Sequence, residues 1–413
     1  LFVRIDNTPR DYAWGSTTAI AELLGRPASG KPEAELWLGA HPGSSSVILD
    51  PESAGGARNL SEWIARDPVA ALGAHEVSAL GEPRLPYLLK VLAAAAPLSL
   101  QAHPSTAQAQ DGFANEDARG IPIGASNRNY KDSFHKPEMI YALSETFEAL
   151  CGFRPVVESI SDFAGLAALA AQAGVPHFAL AEFVQWLETP GDEVEILRSA
   201  VQRLLSDDVD LADFVSKLVS EAVEAARLDG QRTRFEIVER LSASYPGDPG
   251  IVIALLLHRV TLRKGEALFL PAGNLHAYLK GLGVELMAAS DNVLRGGLTP
   301  KHVDVDELLA VLDFEPIPVP YLKPVAGQGI ETFRPGLPDF ELIRVAPLGA
   351  DPVPVSVIGP AIYLCTSGEL TVTSAATNTS VTVRRGEAFY VTPEDDDVEV
   401  TGHGELFVAA QNL

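Results

Sequence analysis

The sequence predicts a mainly β protein with an α-helical insertion, built as two β-barrel units plus a helical domain. Three observations carry this. Short strand-like runs broken by Gly and Pro turns fill residues 1–155 and return after residue 245. Between them the texture changes to Ala-, Glu- and Leu-rich segments with apolar residues at helical spacing. One eleven-residue segment also occurs twice, at 260–270 and 381–391.

The elements follow in chain order. The early part is mixed, and Pro32 to Ala40 is a short run leading into the turn His41-Pro42-Gly43. Helical spacing appears over Phe163–Ala171, Leu180–Leu187, Asp192–Leu205 and Leu211–Arg227, interrupted at Gly174-Val175-Pro176 and Thr189-Pro190-Gly191. These segments define a helical domain over 156–245. Strand signals resume after the turn Tyr245-Pro246-Gly247-Asp248-Pro249-Gly250, so the first barrel is expected to be discontinuous, from 1–155 and 246–315. Pro316-Ile317-Pro318-Val319-Pro320 reads as a linker. Short β-rich runs then define a C-terminal barrel over 321–413.

The repeat aligns Val260-Thr261-Leu262-Arg263-Lys264-Gly265-Glu266 with Val381-Thr382-Val383-Arg384-Arg385-Gly386-Glu387 and continues for four more residues. It reads as one strand–Gly turn–strand corner in each barrel; chance likeness of two hairpins is the alternative. The copies then diverge. The first runs on to Pro271-Ala272-Gly273-Asn274-Leu275-His276, whereas the second continues Thr392-Pro393-Glu394-Asp395 without a histidine. The first barrel is thus placed to carry a metal, and the second to be metal-free.

Composition narrows the partners. A formal net charge of −24 over 413 residues argues against nucleic acid and anionic membranes. An anionic small molecule would need a locally basic pocket against that field. No stretch reads as a membrane span or secretory signal. Two cysteines, Cys151 and Cys365, give no disulfide framework and fit a reducing, cytoplasmic setting. A monomer is the default expectation.

The metal constellation comes from three distant stretches. Gly265-x5-Pro271-x-Gly273-x2-His276 resembles the second cupin motif, in which a Pro-Gly turn aims the following His into a barrel; Lys280 stands where that motif usually has Asn. In Leu98–Pro104, Ser99, Gln101 and His103 alternate onto one face of a strand, with Leu98, Leu100 and Ala102 on the other. Lys136 and Glu138 share a face around Pro137 at a strand start. Gln101, His103, Glu138 and His276 together make a mixed N/O site that suits one Zn²⁺ per chain. With Glu138 the one anionic ligand, the loaded site keeps a net charge of about +1, which favours a reaction that develops negative charge on oxygen. An ordinary solvated strand face and a structural histidine are the plainer alternatives.

Several segments then resemble the type I mannose-6-phosphate isomerases. They include Tyr12-Ala13-Trp14-Gly15-Ser16, Ala34 to Pro42, Leu98 to Pro104, Tyr130 to Met139, Tyr245 to Asp248, Gly265 to Leu279 and Ser290 to Lys301, in the family's order. The C-terminal part matches in general character alone. The resemblance implies cupin-like jelly-roll barrels, zinc, and interconversion of mannose 6-phosphate and fructose 6-phosphate through a cis-enediol or enediolate. It assigns the metal to the same four residues. It implies that Arg295 is catalytic, that Lys136, Glu285, Asp291 and Lys301 lie in the pocket, and that Ser99 and Lys90 belong to substrate-binding segments. Phe134 departs from the Asn that relatives often carry before His-Lys-Pro-Glu.

Roles follow from residue chemistry. Glu285 lies on an apolar run, so burial would raise its pKa and suit it to proton transfer; a salt bridge to a Lys or Arg is the alternative. Lys136 is the rival proton carrier. Asp291 could help open the sugar ring, and Arg295, permanently charged, would stabilise an enediolate or a phosphate. Lys301 and Ser99 would hold phosphate or sugar. Trp14 and Trp37 offer sugar stacking, or core packing. Other readings are isomerisation of a different aldose phosphate, a non-catalytic sugar-phosphate sensor, and a cupin oxygenase.

Overall fold

The computed structural model describes residues 1–80, 82–230, 234–395 and 397–412. Among these, nineteen strands form two sheets. In chain order the first eleven are β1 (Phe2–Asp6), β2 (Glu35–Leu38), β3 (Val47–Ile48), β4 (Tyr87–Ala94), β5 (Leu100–Ala102), β6 (Glu138–Ala142), β7 (Thr146–Phe153), β8 (Leu257–Arg263), β9 (Ala267–Leu270), β10 (His276–Ala288) and β11 (Leu294–Gly297). The remainder are β12 (Val325–Gly327), β13 (Ile330–Phe333), β14 (Glu341–Val345), β15 (Val353–Ser356), β16 (Ile358–Ser374), β17 (Ser380–Arg384), β18 (Ala388–Val391) and β19 (Asp397–Gln411).

The nine-stranded sheet holds β2 and β4–β11, and the ten-stranded sheet holds β12–β19 together with β1 and β3. This departs from the division expected for residues 1–155. β1 pairs antiparallel with β18, Phe2 opposite Val391, and β3 pairs with β1. Partners nearly 390 residues apart leave no local trace in the sequence. The Pro-rich stretch is likewise no free tether, because Pro320 accepts a hydrogen bond from the Phe269 N–H of β9.

The helices at 156–245 follow their apolar period. They are α6 (Val156–Ala173), α7 (Phe178–Leu187), α8 (Glu193–Leu204), α9 (Val209–Arg227) and α10 (Glu236–Ser244), numbered after five earlier helices, α1 (Ala19–Leu23), α2 (Leu60–Arg66), α3 (Pro68–Leu72), α4 (Ala74–Leu80) and α5 (Thr106–Ala118). Asp192 and Asp208 cap α8 and α9 by accepting from N–H groups of their first turns. On α9, Val215, Leu218, Val219, Ala222 and Ala226 bury one stripe. Phe163 and Phe183 meet edge to face at 4.8 Å, both fully buried, and truncating either to Ala would cost roughly 3–5 kcal/mol. Helix α6 has the length and mean hydropathy, 1.2, of a membrane span, yet it packs its buried face, Phe163, Leu166 and Ala170, among the other helices. The early helices α1–α5 and the later α10 were not foreseen; α1–α4 are each seven residues or fewer, too short to show a clear period.

The same core joins helices to sheet. Leu100, Ala102, Leu150, Leu275, Ala277 and Leu279 pack toward the helical layer. Their neighbours in the strands therefore face the opposite way, away from the helices. Strand β10 spans both halves of the nine-stranded sheet. Its first half pairs with β5 and β7 and its second half with β4 and β6, with a register shift between Tyr278 and Lys280. Gly281 lies next to the shift at φ +136, where a Cβ would sit 2.7 Å from the Phe147 ring, so the bend requires glycine. That bend lets one strand deliver His276 to one end of the site and Glu285 to the other.

The repeated corners fold alike. In each, the glutamate after the turn glycine accepts from the backbone N–H of the first arginine, Glu266 from Arg263 and Glu387 from Arg384, both at 2.8 Å.

Candidate metal centre

The site is set by strand register. Gln101 on β5 lies directly opposite His276 on one neighbour and Arg295 on the other. Directly opposed residues project to the same face, so these three side chains line one wall. Glu138 opens β6, opposite Met287 of β10. His103 follows β5 immediately, and one ligand atom from each of His103, Glu138 and His276 lies within 4.8 Å of the others.

The donor set is poised for a cation. His103 Nδ1 donates to the Asn292 carbonyl at 2.7 Å, and His276 Nδ1 donates to the Asn274 carbonyl at 2.9 Å. A ring nitrogen facing a carbonyl must carry the proton, which leaves Nε2 of each neutral imidazole with a lone pair. Burial, with Lys136 nearby, pushes the His103 pKa down to about 4, so its ring stays neutral. The two Nε2 atoms approach Glu138 to 3.3 and 3.4 Å. Even so, His103 Nε2, His276 Nε2 and Glu138 Oε2 have no hydrogen-bond partner among the described residues, and all are buried. Three lone-pair donors facing one another inside a protein are costly without a positive charge between them. The residues therefore fit a divalent metal. The chain's own Lys136 sits 3.0 Å from Glu138 Oε1. Burial raises the Glu138 pKa, but the opposing charge of the Lys136 ammonium leads the effects that hold the carboxyl well below the usual range.

A cavity of about 1190 Å³ opens in front of these ligands. It is lined by every other residue singled out from the sequence: Ser99, Lys90, Lys136, Glu285, Asp291, Arg295 and Lys301. Their environments differ. Lys136 is 8% exposed and so is no solvated surface lysine. Glu285 is buried and lies 3.1 Å from the Lys90 ammonium, so the salt bridge anticipated as its alternative is formed. Burial raises the Glu285 pKa; Lys90 opposes this, while Glu138 and Glu35 reinforce it, and the carboxyl ends above its ordinary value. Lys90 is desolvated, but the three carboxylates hold it charged. Arg295 is half-buried, which lowers its pKa. Lys301 is exposed on the lining.

Four residues escaped the sequence reading. Glu35 accepts from Trp37 Nε1 at 2.8 Å and faces Lys90 at 3.8 Å. His41 Nε2 lies 3.1 Å from Asp291 Oδ1, with Nδ1 accepting from the Gly43 N–H. Burial would raise the Asp291 pKa, but the His41 contact and the charges of Lys136 and Lys90 bring it below the usual range. Asp132 and Asn292 hold the cavity loops, and their signal lies in main-chain bonds that residue type does not announce. Trp37 lies under both the Lys90 ammonium and the edge of His41. Phe134 carries the Arg84 guanidinium 3.6 Å above its ring. His135 is drawn away from the metal ligands to Asp339, at 3.0 Å.

A buried imidazole–carboxylate cluster of His103, Glu138 and His276, beside a cavity lined by the buried Lys90 and Lys136, defines the metal centre of an enzyme that acts on a small molecule. Residues 2–156 match the family model for the type I phosphomannose isomerase catalytic domain. The chain is 37% identical to the mannose-6-phosphate isomerase of Escherichia coli K12 over 98% of both, and 32% identical to the Homo sapiens enzyme over 92% of this chain and 91% of that one. Phosphomannose isomerase from Salmonella typhimurium, solved as a single-residue mutant, superposes with a TM-score of 0.86 at 34% identity, covering both chains fully. A zinc-bound mannose 6-phosphate isomerase gives 0.85 at 35%, again over both chains. The chain belongs to the mannose-6-phosphate isomerase family.

Proposed function

We propose that the chain interconverts mannose 6-phosphate and fructose 6-phosphate, with one zinc held by Gln101, His103, Glu138 and His276. The observation that carries this is the trio of buried donor atoms, without hydrogen-bond partners among the described residues, that cluster around Glu138 at the edge of the cavity. Bound there, the cation supplies Lewis acidity toward the sugar's carbonyl and hydroxyl oxygens.

The chain's own groups do the rest. Glu285 takes the proton from C2 and returns it to C1, passing through a cis-enediol or enediolate; its raised pKa suits both steps. Lys90 keeps that carboxyl oriented. Arg295, on the strand beside Gln101 and on the same wall, stabilises negative charge as it develops. Asp291, held by His41, accepts the anomeric hydroxyl proton as the ring opens. Ser99 and Lys301 bind the phosphate end. Lys136 is the second reading for proton transfer, favoured by its 3.0 Å approach to Glu138. Loss of solvent exchange at C2 in Glu285→Gln, with exchange kept in Lys136→Met, supports Glu285; the reverse supports Lys136.

The same reading divides the chain into a cupin-like jelly-roll barrel (1–155 and 246–315, less β1 and β3), a helical domain (156–245) and a C-terminal metal-free barrel (321–413, plus β1 and β3). Two buried, free cysteines support a cytoplasmic setting, and we take the working unit to be a monomer. The deciding experiment measures metal content and mannose 6-phosphate turnover before and after chelation. One zinc per chain, activity lost with it and restored on its return, is expected. Turnover by fully metal-free protein would overturn the proposal.

A further inference from the structure

We infer that Asn292 is the positioning residue that sets His103 and Glu138 relative to each other, and so sets how tightly and in what geometry the centre holds its metal. The inference rests on the metal centre proposed above. Those two ligands lie 35 positions apart and reach the site from different elements. His103 closes β5, whereas Glu138 begins β6 after a long loop. Asn292, fully buried between β10 and β11, touches the supports of both.

Its main chain serves His103. The Asn292 carbonyl accepts from His103 Nδ1 at 2.7 Å, fixing the tautomer and the direction of Nε2. Its side chain serves the loop that leads into Lys136-Pro137-Glu138. Oδ1 accepts from the N–H groups of Lys131 at 2.7 Å and Asp132 at 3.2 Å. Nδ2 donates to the carbonyls of Asp132 at 2.9 Å and Phe134 at 2.8 Å, and lies 3.2 Å from Asp132 Oδ1. Both ends of the amide are thus used. Asp132 answers from the loop side by accepting from Ser290 Oγ at 2.8 Å and from the Asp291 N–H at 2.9 Å.

One rigid amide therefore registers two ligands that covalent connectivity leaves independent. Groups that orient metal ligands typically contribute 10- to 100-fold in metal affinity. The substitution that isolates the effect is Asn292→Asp. It keeps shape and the Oδ1 acceptor but turns the Nδ2 donor into an oxygen facing two carbonyls and a carboxylate. The main-chain carbonyl stays, but the loop holding it shifts against the loop entering β6.

The test uses the full chain. Zinc affinity is measured by chelator competition, the visible spectrum is recorded on cobalt-loaded protein, and unfolding is followed on metal-free protein. We expect Asn292→Asp to bind zinc 10- to 100-fold more weakly and to show displaced cobalt bands. A merely structural role would lower metal-free stability while leaving folded protein with the parent zinc affinity and cobalt spectrum, and that result overturns the inference. Should Asn292→Asp fail to fold, Ser290→Ala removes the hydroxyl of the same clamp, which donates to Asp132 Oδ1 at 2.8 Å, lies 3.1 Å from the Phe134 carbonyl and accepts from the Asn292 N–H at 3.2 Å. It is expected to weaken zinc several-fold, and parent affinity there is equally fatal. A parent protein that binds no zinc would refute the metal centre itself, which is a different failure.

Discussion

The Lys90 ammonium lies 3.1 Å from Glu285 Oε2, with both side chains buried and Lys90 directly opposite Glu285 in the β4–β10 register. Glu35 and Glu138 add negative charge around the same ammonium. Lys90→Met should therefore strand several carboxylates without their cation. We expect a loss of about 3–5 kcal/mol in unfolding free energy, read by denaturant titration. The double variant Lys90→Met/Glu285→Gln should recover part of it. If the double variant is as unstable as the sum of the singles, the pair is not coupled.

Metal binding should appear as stability. Three buried donor atoms have no hydrogen-bond partner among the described residues, and a ligand at a thousand times its Kd adds about 4 kcal/mol. The melting temperature should thus fall on chelation and rise with added zinc in a saturable way. His276→Ala should abolish the zinc-dependent part while leaving a folded protein.

Arg295 faces the site from the strand next to Gln101, and every hydrogen-bond donor of its guanidinium remains charged at working pH. Arg295→Ala is expected to reduce kcat by about 10²–10³ with zinc content unchanged. Equal kcat in the variant would remove Arg295 from the chemistry. Loss of zinc along with activity would instead make it a support for Gln101.

Much of the metal centre was legible because its signals are local. Alternation on a strand puts Gln101 and His103 on a face opposite Leu100 and Ala102, and a Pro-Gly turn announces His276. The helices from α6 to α9 showed their period over ten residues or more. What escaped is non-local or carried by main chain. β1 joins the C-terminal sheet through residues at the far end of the chain. Glu35 gains its importance from Lys90, which is brought beside it by the β2–β4 pairing. Asn292 holds His103 through a carbonyl that every residue possesses, and its amide reaches a loop far away in sequence.

Glu148 of β7 ties helix α10 to the sheet, since Arg240 reaches it at 2.8 Å and Arg259 of β8 at 3.3 Å. Burial would raise the Glu148 pKa, but the two guanidinium groups outweigh it and bring the value below the ordinary one. The group is thus more readily protonated in the unfolded chain. Its stabilising contribution is complete above the ordinary glutamate pKa and vanishes as pH falls through the lowered folded value. Glu148→Gln should lose on the order of 1 kcal/mol at neutral pH and much less near pH 3. An equal deficit at both pH values would show that packing, rather than charge, carries the contact.

The two copies of the repeated corner make a last, sharper comparison. Gly265 and Gly386 occupy equivalent turn positions at φ +94 and φ +86. Either position strains an L side chain by about 1–2 kcal/mol. Their surroundings differ, however. A Cβ on Gly265 meets nothing closer than Tyr141 Oη at 3.7 Å, whereas on Gly386 it would lie 2.5 Å from the Leu24 carbonyl oxygen and 2.9 Å from Leu24 Cα. Leu24 is the C-cap of α1, and Arg385 beside the glycine also bonds the Leu23 carbonyl at 2.9 Å, so that backbone is pinned from both sides. Gly265→Ala should therefore cost about the conformational strain alone, while Gly386→Ala should cost clearly more and loosen α1 from the ten-stranded sheet. Hydrogen exchange at the amides of 20–24, set beside the two unfolding curves, distinguishes the cases. Equal losses in both variants would mean that the corner at Gly386 is not braced by α1.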